Sequence, residues 1–312
     1  MEKGKMILTV CMSPSADITI ELDSLKIGKT NVVKNKSFSY GGKALNVAIG
    51  VARLGYPVHT TGVMYEENGR MFEAALQKEG VPYTFVWNKG RVRENYKLID
   101  GRAMLTEIND VGGEVTEGKR QEVLSTVNTL SKDSEVVVLS GGLPRGTKES
   151  FYGDLVGAVA PNALKIVDAV GERMFYALEK GVDLVKPNLD ELEHTLGRRI
   201  VDKTDMLTAC YELLDRGAKR VLLSLGKKGA VITDGSKNYY SKTAYVPIHS
   251  TVGAGDGMVA AAAVQLAQGA PLEEILRAGV AAGTATVMTA GQSSFAKRSY
   301  DEVFARVKVK EL

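Results

Sequence analysis

Short apolar runs that read as strands alternate with amphipathic runs that read as helices along most of this chain. Ile7–Cys11, Val58–Val63, Glu135–Leu139, Lys165–Val167, Leu184–Val185 and Val221–Ser224 have the character of buried strands. Gly42–Leu54, Arg70–Glu79, Glu117–Leu130, Lys148–Val159, Glu172–Leu178, Asp205–Leu214, Asp256–Gln268 and Leu272–Thr289 have that of helices. In the first helix Leu45, Ala48, Val51 and Ala52 form one apolar stripe, and Gly55-Tyr56-Pro57 stops it. Strands separated by helices demand a mainly parallel sheet covered on both faces, an α/β architecture. At 312 residues the chain fits one domain, 1–312.

Two segments break this rhythm. Residues 17–36 hold Ile18-Thr19-Ile20-Glu21-Leu22 and Asn31-Val32-Val33 with a Gly28 turn, and 93–108 repeat the style around Asp100-Gly101-Arg102. Together they predict a small antiparallel sheet outside the main one, with Ile20 and Val32 on its apolar row. An exposed apolar sheet face needs cover, and a second copy of the chain is the natural candidate.

The 40 basic and 37 acidic residues are mixed along the chain, which argues against a nucleic-acid surface. Arg91, Arg93 and Lys97 form a local basic cluster, either a solvated strand face or a phosphate site. Cys11 and Cys210 fit reduced thiols in the cytoplasm rather than a disulfide framework. His59, His194 and His249 show no metal-ligand spacing, and no apolar run is long enough for a membrane span or signal peptide.

The stretch from His249 to Ala262 passes from an extended run through Gly253-Ala254-Gly255-Asp256 into a helix of small residues. Such a turn aims backbone N–H groups into one small volume at the positive end of a helix dipole, with a carboxylate at its lip. Donors that hold a phosphoryl group, beside a base for a hydroxyl, are what phosphoryl transfer to an alcohol needs. The same residues also describe an ordinary helix start capped by Asp256, and the segment alone fits both. It is neither a Walker loop nor a dinucleotide fingerprint.

Seven segments in order resemble motifs of the PfkB (ribokinase-like) carbohydrate kinases. They are Ser13-Pro14-Ser15-Ala16-Asp17, Gly41-Gly42-Lys43-Ala44-Leu45-Asn46-Val47-Ala48, Arg93-Glu94-Asn95-Tyr96-Lys97 and Ser140-Gly141-Gly142-Leu143-Pro144. Lys186-Pro187-Asn188-Leu189-Asp190-Glu191-Leu192, Ser224-Leu225-Gly226-Lys227-Lys228-Gly229-Ala230 and the run from Ser250 to Ala262 complete the series. The resemblance spans essentially the whole chain. It implies a three-layer fold, a β lid over a sugar, and a homodimer joined through the lids.

By that resemblance Asp256 is the general base, and Gly253, Ala254 and Gly255 form the anion hole. Asp17, Gly42, Lys43, Asn46, Arg93 and Asn95 form the acceptor site, with Lys29 reaching the sugar's phosphate from the partner subunit. ATP is expected against Lys186, Asn188, Ser224, Gly226, Gly229, Thr251, Gly255, Val280, Ala282 and Gly283. The last three also read as plain core packing. Asn188 and Glu191, three apart, would serve magnesium through water, although their spacing alone describes a capping box. Backbone carbonyls of Ser250, Val252, Thr286, Thr289 and Gly291 match positions that bind potassium in related kinases.

The Arg93 and Lys43 cations favour a phosphorylated acceptor. Gly41–Val47 and Thr106–Asn109 look most like the 1-phosphofructokinase branch, so the expected reaction is fructose 1-phosphate to fructose 1,6-bisphosphate. Tagatose 6-phosphate and fructose 6-phosphate are the alternative acceptors. A sugar-phosphate-binding protein without turnover is the non-enzyme alternative. The chain also departs from the resembled pattern. Ser13 stands for Asn, Ala44 for Gly, Gly113 for Pro, and Gly142 and Gly257 each for Ser.

Overall fold

The computed structural model describes residues 6–102, 104–289 and 294–312. Its strands in chain order are β1 (Ile7–Cys11), β2 (Ser15–Glu21), β3 (Asn35–Gly41), β4 (Val58–Tyr65), β5 (Tyr83–Asn88), β6 (Arg93–Ile99), β7 (Leu105–Asn109), β8 (Val136–Ser140), β9 (Leu164–Asp168), β10 (Leu184–Val185), β11 (Val221–Ser224), β12 (Ala230–Thr233), β13 (Asn238–Ser241) and β14 (Val309–Glu311). The helices are α1 (Lys43–Arg53), α2 (Arg70–Lys78), α3 (Glu117–Ser131), α4 (Phe151–Ala158), α5 (Glu172–Leu178), α6 (Leu189–Leu196), α7 (Lys203–Asp215), α8 (Ala254–Ala267), α9 (Leu272–Val287) and α10 (Lys297–Phe304).

The main sheet has the order β14-β13-β12-β11-β10-β9-β8-β1-β4-β5. From β11 to β5 every pairing is parallel, and β12, β13 and β14 add an antiparallel edge. The central strands β1 and β8 are buried along their whole length. Helices α1, α8, α9 and α10 pack with one another on one side, while α3, α4, α5 and α7 cover the other. The result is the expected three-layer α/β fold.

Helix α8 has no polar face, because it is enclosed by α1 and α9. Its small residues allow that. A Cβ on Gly50 would lie 2.7 Å from Ala260 Cβ, and one on Gly283 2.7 Å from Met258 Cγ. At Gly257, where the resembled pattern has Ser, a Cβ would meet Thr286 Oγ1 at 2.5 Å.

The lid is a second sheet of order β3-β2-β6-β7. Its outer pairs are antiparallel, but β2 and β6 run parallel with Asp17 opposite Asn95. Both strands leave the core in the same direction, so their shared ladder cannot be a hairpin. Its boundaries also differ from the expected 17–36 and 93–108. The second strand is β3, not Asn31–Val33, and Val32 lies exposed in the irregular connection before it. Alternation gives the sheet two faces. Asp17, Thr19, Ser39, Asn95 and Lys97 share one, and Ile18, Ile20, Phe38, Tyr96, Leu98 and Ile108 share the other.

Candidate active site

Parallel α/β sheets present their ligands at the carboxyl ends of the strands. There β1 leads into Ser13, β8 ends in Ser140, β9 ends in Asp168, β10 leads into Lys186 and β11 ends in Ser224. Two helix N-termini converge on the same edge. Gly42 precedes α1 at φ 133°, and a Cβ there would lie 3.1 Å from both Cys11 Sγ and Pro14 Cα. Gly253 precedes α8 in a left-handed conformation, φ 79°. Neither cap carries a side-chain hydrogen bond, which leaves first-turn N–H groups for a ligand, although Ala254 N–H also reaches Thr251 O at 3.4 Å. Asp256 is not the cap. It sits inside the first turn of α8, buried, two residues after the helix begins.

Asn46 Nδ2 donates to Asp256 Oδ2 at 2.7 Å. Lys43 Nζ stands 3.3 Å from both Asp168 Oδ2 and Glu191 Oε1. Lys186 Nζ lies 3.4 Å from Asp168 Oδ1 and 3.9 Å from Glu191 Oε2. It also lies 3.4 Å from where a Cβ on Gly255 would sit, beside the α8 N-terminus. Burial, reinforced by the Asp168 charge, pushes Asp256 up to about 7 against the pull of Asn46, Lys43 and Lys186. Burial alone would also raise Asp168, but Lys186, Lys43 and the Ser140 hydroxyl outweigh it and hold that carboxyl below its usual range. Burial works against the Lys43 charge, and Asp168, Glu191 and Asp256 overcome it and hold the ammonium above the usual lysine range. Asp168 has no counterpart among the residues singled out by sequence. Its signal is positional, an acidic residue closing a buried parallel strand.

On the lid's polar face Asn95 Nδ2 and Lys97 Nζ donate to Asp17 Oδ1 and Oδ2 at 2.9 and 3.1 Å. The expected basic cluster therefore separates. Arg91 pairs with Glu94, Lys97 with Asp17, and Arg93 is left over. Among the described residues Arg93 Nε, Asn95 Oδ1, Asn46 Oδ1 and Asp168 Oδ1 are buried without a hydrogen-bond partner. Each such atom costs about 1–3 kcal/mol unless a ligand satisfies it. Lys29 lies exposed in the connection between β2 and β3, outside this cluster.

Asn188 and Glu191 form a full capping box at the start of α6, with bonds of 2.8 and 2.9 Å, so the structural alternative is realised. Asn188 Oδ1 is committed to that cap, whereas Glu191 Oε1 still faces Lys43. Asn188 bridges to Ser224, bringing the Ser224–Gly229 loop beside Lys186. Gly226 and Gly229 both have positive φ, and a Cβ on Gly229 would collide with Ser241 O. Thr251 is exposed just before the anion turn. Val280, Ala282 and Gly283 lie buried in α9, and Ala282 has no accessible surface, so their visible role is packing. The Ser250–Val252 loop meets the end of α9 through His249 N to Val287 O, 2.8 Å. Thr286 and Thr289 lie at that end, and Gly291 falls outside the described residues.

The arrangement sets a buried carboxylate of raised pKa, Asp256, beside a helix N-terminus free of a side-chain cap, the pair of groups that phosphoryl transfer to a hydroxyl requires. Fold and site thus define a phosphotransferase whose acceptor is a sugar hydroxyl. The model of the pfkB family carbohydrate kinases matches residues 11–298, and the chain belongs to that family. It is 28% identical to a 1-phosphofructokinase of Borreliella burgdorferi over 98% of this chain and 99% of that one. It is also 28% identical to a tagatose-6-phosphate kinase of Staphylococcus epidermidis over 98% of this chain and 100% of that one. The solved phosphofructokinase-2 of Escherichia coli in complex with potassium superposes with a TM-score of 0.90 at 30% identity, covering 97% and 99% of the two chains.

Proposed function

We propose that the protein phosphorylates D-fructose 1-phosphate with ATP, giving fructose 1,6-bisphosphate. The observation that carries a phosphorylated acceptor is Arg93, a cation at the start of lid strand β6 whose buried Nε has no hydrogen-bond partner among the described residues. Lys43 is engaged by Asp168 and Glu191, so Arg93 carries more of the acceptor's charge than the sequence suggested. The choice of sugar phosphate leans on the relatives' names, 1-phosphofructokinase first and tagatose-6-phosphate kinase second.

Asp256 takes the C6 hydroxyl proton as that oxygen attacks the γ-phosphorus in line. The N–H groups of Gly253, Ala254 and Gly255 hold the transferring phosphoryl group, and Lys186 balances its charge. The donor set suits magnesium. Glu191 Oε1 and Asp168 Oδ1, the latter ion-paired with Lys186 but without a hydrogen bond, are hard oxygen donors beside the proposed phosphate position. When bound, the ion would neutralise charge on the phosphates, held through Glu191 and, by way of water, Asn188. A potassium ion is assigned to the carbonyls of Ser250, Val252, Thr286 and Thr289. Two copies of the chain dimerise through their lids, with Lys29 at the rim.

An ADP-release assay with fructose 1-phosphate, tagatose 6-phosphate, fructose 6-phosphate and fructose, at fixed magnesium and potassium, tests this reading. Fructose 1-phosphate is expected to give the highest kcat/KM and fructose the lowest. A different sugar phosphate in the lead moves the assignment within the family. Fructose in the lead removes the phosphate site, and binding without ADP release removes the enzyme.

A further inference from the structure

The loop after β8 carries Gly142, where the resembled family pattern has Ser. The space beside it is filled by Arg173, the second residue of α5. A Cβ on Gly142 would lie 3.4 Å from Arg173 Nη1 and 4.0 Å from Ser13 Cβ. Arg173 Nε lies 2.7 Å from Glu149 Oε2 as an ion pair, yet it is buried and makes no hydrogen bond among the described residues. A half-buried guanidinium with a donor turned onto a glycine is waiting for an acceptor. Tyr152 connects it to the reacting centre. That phenol donates to Gly141 O at 2.8 Å, and burial together with Asp168 raises it while Arg173 and Lys43 oppose. Ser13 leads into β2, where Ser15 lies opposite Arg93. Two arginines, one from the lid and one from the core, therefore flank the Ser13–Ser15 segment.

We propose that Arg173 binds the acceptor's phosphate together with Arg93 and sets the preference for phosphorylated over free sugar. This rests on the reading that the acceptor is a sugar phosphate. The planar fork of a guanidinium matches phosphate oxygens. Gly142 is what leaves the donor available, since a hydroxyl there would turn onto Nη1 and occupy it. Arg173 is also a strut, because its pair with Glu149 ties the approach to α4 to α5. The two roles separate by substitution.

The experiment measures kcat/KM for fructose 1-phosphate and for fructose, and KM for ATP, in wild type, Arg173→Ala, Arg173→Lys and Glu149→Gln. Arg173→Ala should lower kcat/KM for the sugar phosphate about 10- to 100-fold through KM, leaving free fructose and ATP unchanged. Arg173→Lys keeps the charge without the fork and should recover part of the loss. If Arg173→Ala does not fold, Arg173→Lys alone should still show the selective rise in KM. Glu149→Gln should lower the melting temperature without moving sugar-phosphate KM. Sugar-phosphate turnover with an unchanged KM in the Arg173 variants overturns the role of Arg173 alone, as does the same KM rise in Glu149→Gln. A wild-type preference for fructose overturns both this role and the phosphorylated acceptor.

Discussion

Asp256 is a buried carboxylate whose proton is held up to about pH 7, which suits the general-base role proposed for it. General-base catalysis contributes about 10²–10⁴-fold, so Asp256→Asn should lose that much kcat while keeping its KM for ATP. Because its pKa is about 7, kcat/KM should climb tenfold per pH unit below that point and level off above it. The stability effect has the opposite sense. The folded state holds this proton more tightly than the unfolded chain, whose carboxyl titrates near 3.8, so stability falls as pH rises from about 3.8 to about 7 and is level above. The melting temperature of Asp256→Asn should therefore gain on that of wild type steadily from about pH 4 to about pH 7 and keep a constant lead above that, as calorimetry would show. Arg93→Ala should raise sugar-phosphate KM by one to two decades and leave that of ATP in place, since a charge-assisted bond is worth about 1.5–3 kcal/mol. Equal effects on both substrates would remove Arg93 from the acceptor. Asp256, the Gly253–Gly255 turn and Arg93 could be singled out from sequence because each sits in a short, distinctive run. Asp168 and Arg173 could not, because what marks them is who stands opposite across the fold.

At the scale of elements, the buried strands were legible to within a residue or two. Each is a short run rich in Val, Ile, Leu or Thr with few charges, and only a largely covered sheet accommodates that. The strands β5, β13 and β14 and helix α10 were not recognised, while β12 was expected to open at Gly229-Ala230. The edge strands β13 and β14 are half covered, so neither a continuous nor an alternating pattern stands out. Helix α8 begins two residues before the expected Asp256 because glycine at 253 supplies the left-handed turn. A Cβ there costs roughly 1–2 kcal/mol of strain, so Gly253→Ala should lower the melting temperature and raise KM for ATP more than KM for the sugar. The lid's parallel β2–β6 ladder was illegible for another reason. Register between distant segments leaves no local trace.

For the whole molecule, the lid's outward face is the feature that a single chain leaves unfinished. Phe38 is 52% exposed and Ile108 56%, on the face opposite Asp17. Ile27 and Val32, 93% and 80% exposed, stand in the adjoining connection. Contiguous apolar area of this kind marks an interface. Phe38→Asp with Ile108→Asp should give monomers by light scattering, and a wild type that is already monomeric at micromolar concentration would rule out the lid dimer. The same ladder that joins the lid also sets a schedule for its synthesis. Asp17 must wait for Asn95, 78 positions later, before β2 gains its second neighbour. At ribosomal speeds of about 5–20 residues per second, that is an interval of roughly 4–16 s. Throughout it the newborn β2–β3 hairpin shows the cell an open edge and an oily side, so the protein's passage through that window depends on whatever shields nascent chains.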